Sequence, residues 1–144
     1  LTVREVSEIL ELRQQFEVLA VRRILARQVP LEQLWHACEA MAAAADAADR
    51  EGLIAADGSF HRALIGLSDH HLLAQLWNGL YLRIHQIMSL RNDQQVDLHD
   101  IAGTHPPIIE ALEMRDLDGA ILLVSQHFAA LADFDPSDIA ERDP

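Results

Sequence analysis

Apolar residues recur along this chain at steps of three and four, and nowhere does a run alternate apolar and polar in the manner of a strand. Only 6 Gly in 144 residues interrupt that pattern. The fold it predicts is all-α. A first helix opens at Thr2 or Ser7 and reaches about Arg27, with an inner stripe of Ile9, Leu12, Phe16 and Leu19 and Pro30 as its stop. A second runs from about Leu31 to Arg50, and the small residues of "MAAAADAA" let a neighbour approach closely. A third spans about Gly52 to Leu67 and ends in the break "SDHH". The fourth, near Leu72 to Arg91, turns Leu73, Leu76, Leu80, Ile84 and Ile87 inward. "RNDQQVDLHD" reads as a loop or a short irregular helix. "THPP" then opens a fifth helix with Thr104 as N-cap and prolines in the first turn, running to about Arg115. In the sixth, Leu117, Ile121, Val124, Phe128 and Leu131 form the inner stripe. About six helices with short connections make an antiparallel bundle over residues 1–134, followed by an acidic, fraying tail at 135–144.

The balance of charge narrows the partners. Eleven Arg, with no Lys, stand against 23 Asp plus Glu, a formal charge of −12. Such a surface repels phosphate backbones, so DNA, if the whole protein binds it, is bound by another segment. No apolar run reaches the roughly 18 residues of a membrane span, and the opening "LTVREVSEIL" is charged from the start. Cys38 is the single cysteine, which fits a reducing, cytoplasmic setting. Without an initiator Met, the chain reads as a fragment of something longer.

Against this background, four polar residues sit on apolar faces. Ile54, Asp57, His61 and Leu64 follow at steps of three, four and three, placing a carboxylate and an imidazole on the inner face of the third helix. His105 precedes Ile108 by three, and His127 lies three after Val124 and four before Leu131. An unpaired ionised Asp inside a bundle costs several kcal/mol. Two readings accommodate it: a polar core network in which Asp57 pairs with His61 and the other histidines bond backbone carbonyls, or a divalent metal taken by one carboxylate and three imidazoles. His36, His85 and His99 read as surface or loop residues, and His70 and His71 as an interhelical turn.

Four segments together resemble the effector-binding C-terminal (FCD) domain of the FadR subgroup of GntR-family bacterial transcription regulators. They are "ILELRQQFEVLAVRRILA", "DGSFHRALIGLSDHHLLAQL", "THPPIIEALEMRDLDGA" and "VSQHF", spread from about Val6 to Phe128. The resemblance implies a helical ligand-sensing domain that follows a winged helix-turn-helix absent from this chain and forms a homodimer. It also implies one divalent ion (Zn, Ni or Mn) held by Asp57, His61, His105 and His127. Two departures stand out: His70 occupies a position where the family often has Asn, and Thr104 one where Glu is common.

Four protein ligands leave one or two open positions on such an ion, which water or a small organic acid could take. Arg13 and Arg83 each flank an apolar stripe, and a guanidinium matches a carboxylate bidentately. The plainer alternative for Arg13 is an ion pair with Glu17. The expected function is effector sensing rather than catalysis. The rivals are a metal-dependent hydrolase or oxygenase, which lacks H-E-x-x-H and a spare inward carboxylate here, and a structural metal in a dimerisation module.

Overall fold

Thr2 and Glu5 start the chain's first helix by closing a reciprocal capping box: Thr2 Oγ1 accepts from the Glu5 amide at 3.1 Å, and the Glu5 carboxylate accepts from the Thr2 amide at 2.8 Å. The computed structural model describes residues 2–92 and 97–132, with side chains described for 2–87 and 97–127. Seven helices lie among the described residues: α1 (Val3–Leu25), α2 (Glu32–Asp46), α3 (Arg50–Leu67), α4 (His71–Asn92), α5 (Leu98–Gly103), α6 (Pro106–Glu113) and α7 (Leu117–Ala132). None of them is long and apolar enough to cross a membrane. α1 packs against α7, α3 and α4, while α2 lies along α3 with Ala37, Ala44 and Ala45 buried. Phe60, Leu64, Met41, Ile65 and Ile109 are among the side chains that fill the space between them.

The connections are made by the same device twice. α2 and α6 each end in a left-handed residue, Ala48 (φ 53°) and Arg115 (φ 56°). The following Asp49 and Asp116 amides reach back to Ala44 O (2.8 Å) and Ala111 O (2.9 Å), as in a Schellman ending. Those aspartates then cap the next helix, accepting from Gly52 and Gly119 amides at 2.9 Å each. Before α4 the cap is a histidine: His70 Nδ1 accepts from the Leu73 amide at 3.1 Å, doing there what an Asn side chain would do.

Several boundaries and faces differ from expectation. α1 is rotated: Leu12 is 47 % exposed, Leu19 38 % exposed and Phe16 half-buried, whereas Arg13 and Glu17 are buried between Ile9 and Ala20. The apolar stripe was the better amphipathic match, but a polar pair with partners inside outweighs it. On α4, Leu76 faces solvent and Trp77 takes the inner position. Of the stretch at 91–100, read as a loop or a short irregular helix, the end belongs to the short helix α5, which Asp97 starts by accepting from the His99 amide. Thr104 is not the cap of the helix after it. It ends α5 and donates to Ile101 O at 2.8 Å, and His105 occupies the N-cap of α6 without a side-chain cap bond. The prolines do sit in the first turn of α6. Phe128, Leu131 and the tail at 135–144 lie outside the described side chains.

Ala48 is exposed and holds a conformation that costs an L-residue about 1–2 kcal/mol. Ala48→Gly is expected to stabilise the domain by about 0.5–1 kcal/mol after the added unfolded-state entropy is subtracted, read as a higher urea midpoint at unchanged slope.

Candidate metal centre

Four buried residues from three helices meet at one point. α3 supplies Asp57 and His61 one turn apart, the start of α6 supplies His105, and α7 supplies His127. One donor atom from each lies within 4.8 Å of the others. His105 Nε2 is 2.7 Å from Asp57 Oδ1, and His61 Nε2 is 3.2 Å from the same oxygen. The three imidazole centroids are 4.8–5.5 Å apart, with the Phe60 ring edge-on to His61 and His105.

Each ring is steered by what its other nitrogen meets. His105 Nδ1–H donates to Ile101 O at 2.9 Å, and His127 Nδ1 lies 3.3 Å from Thr104 Oγ1. The Thr104 hydroxyl hydrogen is committed to Ile101 O, so its lone pairs are left to accept from His127. His61 Nδ1 meets the Glu17 carboxylate. With Nδ1 engaged on the outer side, His105 and His61 turn Nε2 toward Asp57, where it donates to the carboxylate or, once that proton leaves, offers a lone pair to a cation, an arrangement typical of metal-ligating histidines.

Charge supports the same geometry. Burial pushes the Asp57 carboxyl up, but the facing His61 charge and hydrogen bonds from His105 and His61 hold it well below the ordinary carboxylate range. Burial pushes His61 down, yet the Glu17 carboxylate and Asp57, opposed by Arg13, leave it above the ordinary histidine value. His127 is held well below that value by burial and by the neighbouring His105 and His61. The centre therefore presents an ionised oxygen and a neutral imidazole to any cation that enters.

Arg13 is 1 % exposed, with Nε 3.4 Å from Glu17 Oε2 and its guanidinium 5.8 Å from the Trp77 ring centroid. It lines a small cavity of about 10 Å³ beside the cluster, together with Asp57, His61, Trp77, Tyr81 and Ile84. That is room for about one water. Tyr81 closes against Gly58, where a Cβ would stand 2.9 Å from its hydroxyl, and Arg62 lies 4.3 Å over its ring. A larger groove of about 490 Å³ between the ends of α1 and α6 shares no residue with the cluster.

The structure thus brings Asp57, His61, His105, His127 and Arg13 together and leaves Arg83 out. Arg83 is exposed on α4 and absent from the cavity wall, because Ile84, one residue along, occupies the inward position. His36, His85 and His99 are exposed, though His85 reaches the cavity rim. Glu17, Thr104, Trp77 and Tyr81 had not been assigned to the site. The signal for Glu17 is its place four residues after Arg13, the ion pair named above as the plainer alternative for Arg13, and that pair is present and buried.

The FCD domain family model matches residues 8–130. A probable D-xylose utilization operon transcriptional repressor from Paenarthrobacter nicotinovorans is 31% identical over 99 residues, covering 69% of this chain and 43% of the repressor. The chain thus spans less than half of that relative's length. Among solved structures, E. coli McbR/YncC superposes with a TM-score of 0.77 at 21% identity, over 91% of this chain and 66% of that one. A Listeria monocytogenes structure, described as Lar controlling expression of the agr system, superposes with a TM-score of 0.78 at 14% identity, over 99% of this chain and 66% of its own. These two likenesses show the shared helical fold. The family model spans nearly the whole bundle, and the chain belongs to the FCD domain family.

Proposed function

We propose that this domain senses a small organic acid for a GntR-type transcription regulator, with one divalent metal held by Asp57, His61, His105 and His127 as the floor of the sensing site. DNA binding belongs to a winged helix-turn-helix outside this chain. The repressor relative supports the regulatory role. The exposed Leu12 and Leu19, two turns apart on α1, suit pairing with a second copy.

A single observation carries the metal and the acid together. The buried charged side chains among the described residues are Arg13 against Glu17 and Asp57, with His61 between the carboxylates. The cluster lacks one positive charge, and the proton drawn onto His61 supplies it. A divalent cation in place of that proton leaves one positive charge in excess, which a carboxylate beside Arg13 would balance. The donors suit first-row ions, whose ligand atoms stand about 3–4 Å apart in ordinary complexes. The ion would contribute a fixed positive charge for the effector's carboxylate. Arg13 would bind and orient that group, while Trp77 and Tyr81 exclude water. Binding shifts the regulator only insofar as one arrangement of the helices takes the acid better than another.

Protein purified without an affinity tag should contain about one equivalent of Zn, Ni or Mn by mass spectrometry, and His105→Ala with His127→Ala should lose it while retaining helical circular dichroism. Metal-free wild type after soaking in each ion would leave the polar core network as the correct reading. Since His61 is raised, its proton competes with the ion from above the ordinary histidine range downward. Apparent zinc affinity should therefore rise by about tenfold per pH unit below that point and level off above it, as measured by competition with a chelator. In the metal-loaded domain, a bound small carboxylate at a hundred times its Kd should add about 2.7 kcal/mol of stability. The gain should shrink in Arg13→Gln, read by thermal unfolding with acetate, malate and citrate; equal gains in both proteins would remove Arg13 from the site.

A further inference from the structure

Glu17 is 1 % exposed on a helix that contributes no atom to the proposed ligand set. One of its carboxylate oxygens meets His61 Nδ1 and the other lies 3.4 Å from Arg13 Nε. A neutral imidazole has two tautomers, and only the one with hydrogen on Nδ1 turns a lone pair at Nε2 toward Asp57. What stands beside Nδ1 selects between them. For His105 and His127 that neighbour is a neutral oxygen, Ile101 O and Thr104 Oγ1. For His61 it is a carboxylate, the stronger acceptor.

We infer that Glu17 is the positioning residue that sets the tautomer and ring direction of His61 at the metal centre and ties both to Arg13. The inference rests on reading the four residues as a metal site. It makes α1 part of the centre without giving the ion a ligand. The ring of His61 and the guanidinium of Arg13 share one carboxylate, so displacement of either moves the other's anchor. A packing role alone would need only the volume of Glu17. A positioning role needs an acceptor at that place.

Two substitutions separate these. Glu17→Met keeps the bulk and removes the acceptor, while Glu17→Gln restores an oxygen that can accept from Nδ1–H. Zinc affinity, measured by chelator competition on the wild-type domain and both variants, should fall about ten- to hundredfold in Glu17→Met and recover most of that loss in Glu17→Gln. Nitrogen NMR of the zinc-loaded wild type should show His61 with its hydrogen on Nδ1. Zinc bound equally tightly by Glu17→Met and wild type would overturn the inference and leave the metal site standing. So would a His61 hydrogen found on Nε2, which decides the matter even if Glu17→Met fails to fold. A wild type that takes up no zinc would end the metal reading and this inference with it.

Discussion

Two buried carboxylates facing one buried arginine set the terms for this bundle. Asp57, Glu17 and Arg13 are each less than 5 % exposed, so bulk solvent does little to screen them. Leaving the excess negative charge uncompensated would cost several kcal/mol, a large share of the stability of a domain this size. Compensation comes from His61, which sits between both carboxylates and is drawn toward protonation by them. The same arrangement that makes a proton welcome there makes a divalent cation more so. Structure and proposed chemistry thus derive from one imbalance.

The surrounding helices can be understood as ways of delivering these groups dry. α3 places Asp57 and His61 on one face simply by helical repeat. His105 is different, since it stands at the N-cap of α6, where the first-turn prolines give up amides that would need partners anyway. α5 exists to support it. The turn from Asp97 to Thr104 brings Ile101 O to His105 and Thr104 Oγ1 to His127, so one short helix orients two of the three rings. Thr104 stands where the related family often carries an acid, and the oxygen it offers His127 is neutral. The carboxylate outer partner is on the opposite side, at Glu17.

The inward polar residues of α3, α6 and α7 were legible because each lies three or four positions from an apolar neighbour that is itself buried, Ile108 and Val124 among them. Convergence of the four was not contained in periodicity; it came from the order of residues across four segments taken together. α1 misled because Leu12, Phe16 and Leu19 make a cleaner apolar stripe than Ile9, Arg13 and Glu17. Local hydrophobicity ranks Arg and Glu as outward, and contacts distant in sequence, Glu17 with His61 and Arg13 with Trp77, reverse that ranking. Arg83 misled for the mirrored reason, lying one residue from Ile84 on a helix whose true inner positions include Trp77. The helix at 98–103 was legible only as one of two alternatives, because its polar approach suits a loop as well as the cap that Asp97 supplies.

The smallness of the cavity bears on how such a domain would signal. Space for about one water beside Arg13 and Asp57 admits no multi-atom acid while Trp77 and Tyr81 hold their places. Tyr81 is seated in the notch left by Gly58 on α3, adjacent in sequence to Asp57, and is covered from outside by Arg62. A carboxylate that reaches the centre must therefore move groups on α4 relative to α3. α4 also packs on α1, whose Arg13 and Glu17 form the other wall. An acid taken up here would act on all three helices at once. Close packing around a charged centre makes that displacement a change between discrete packings rather than a gradual give.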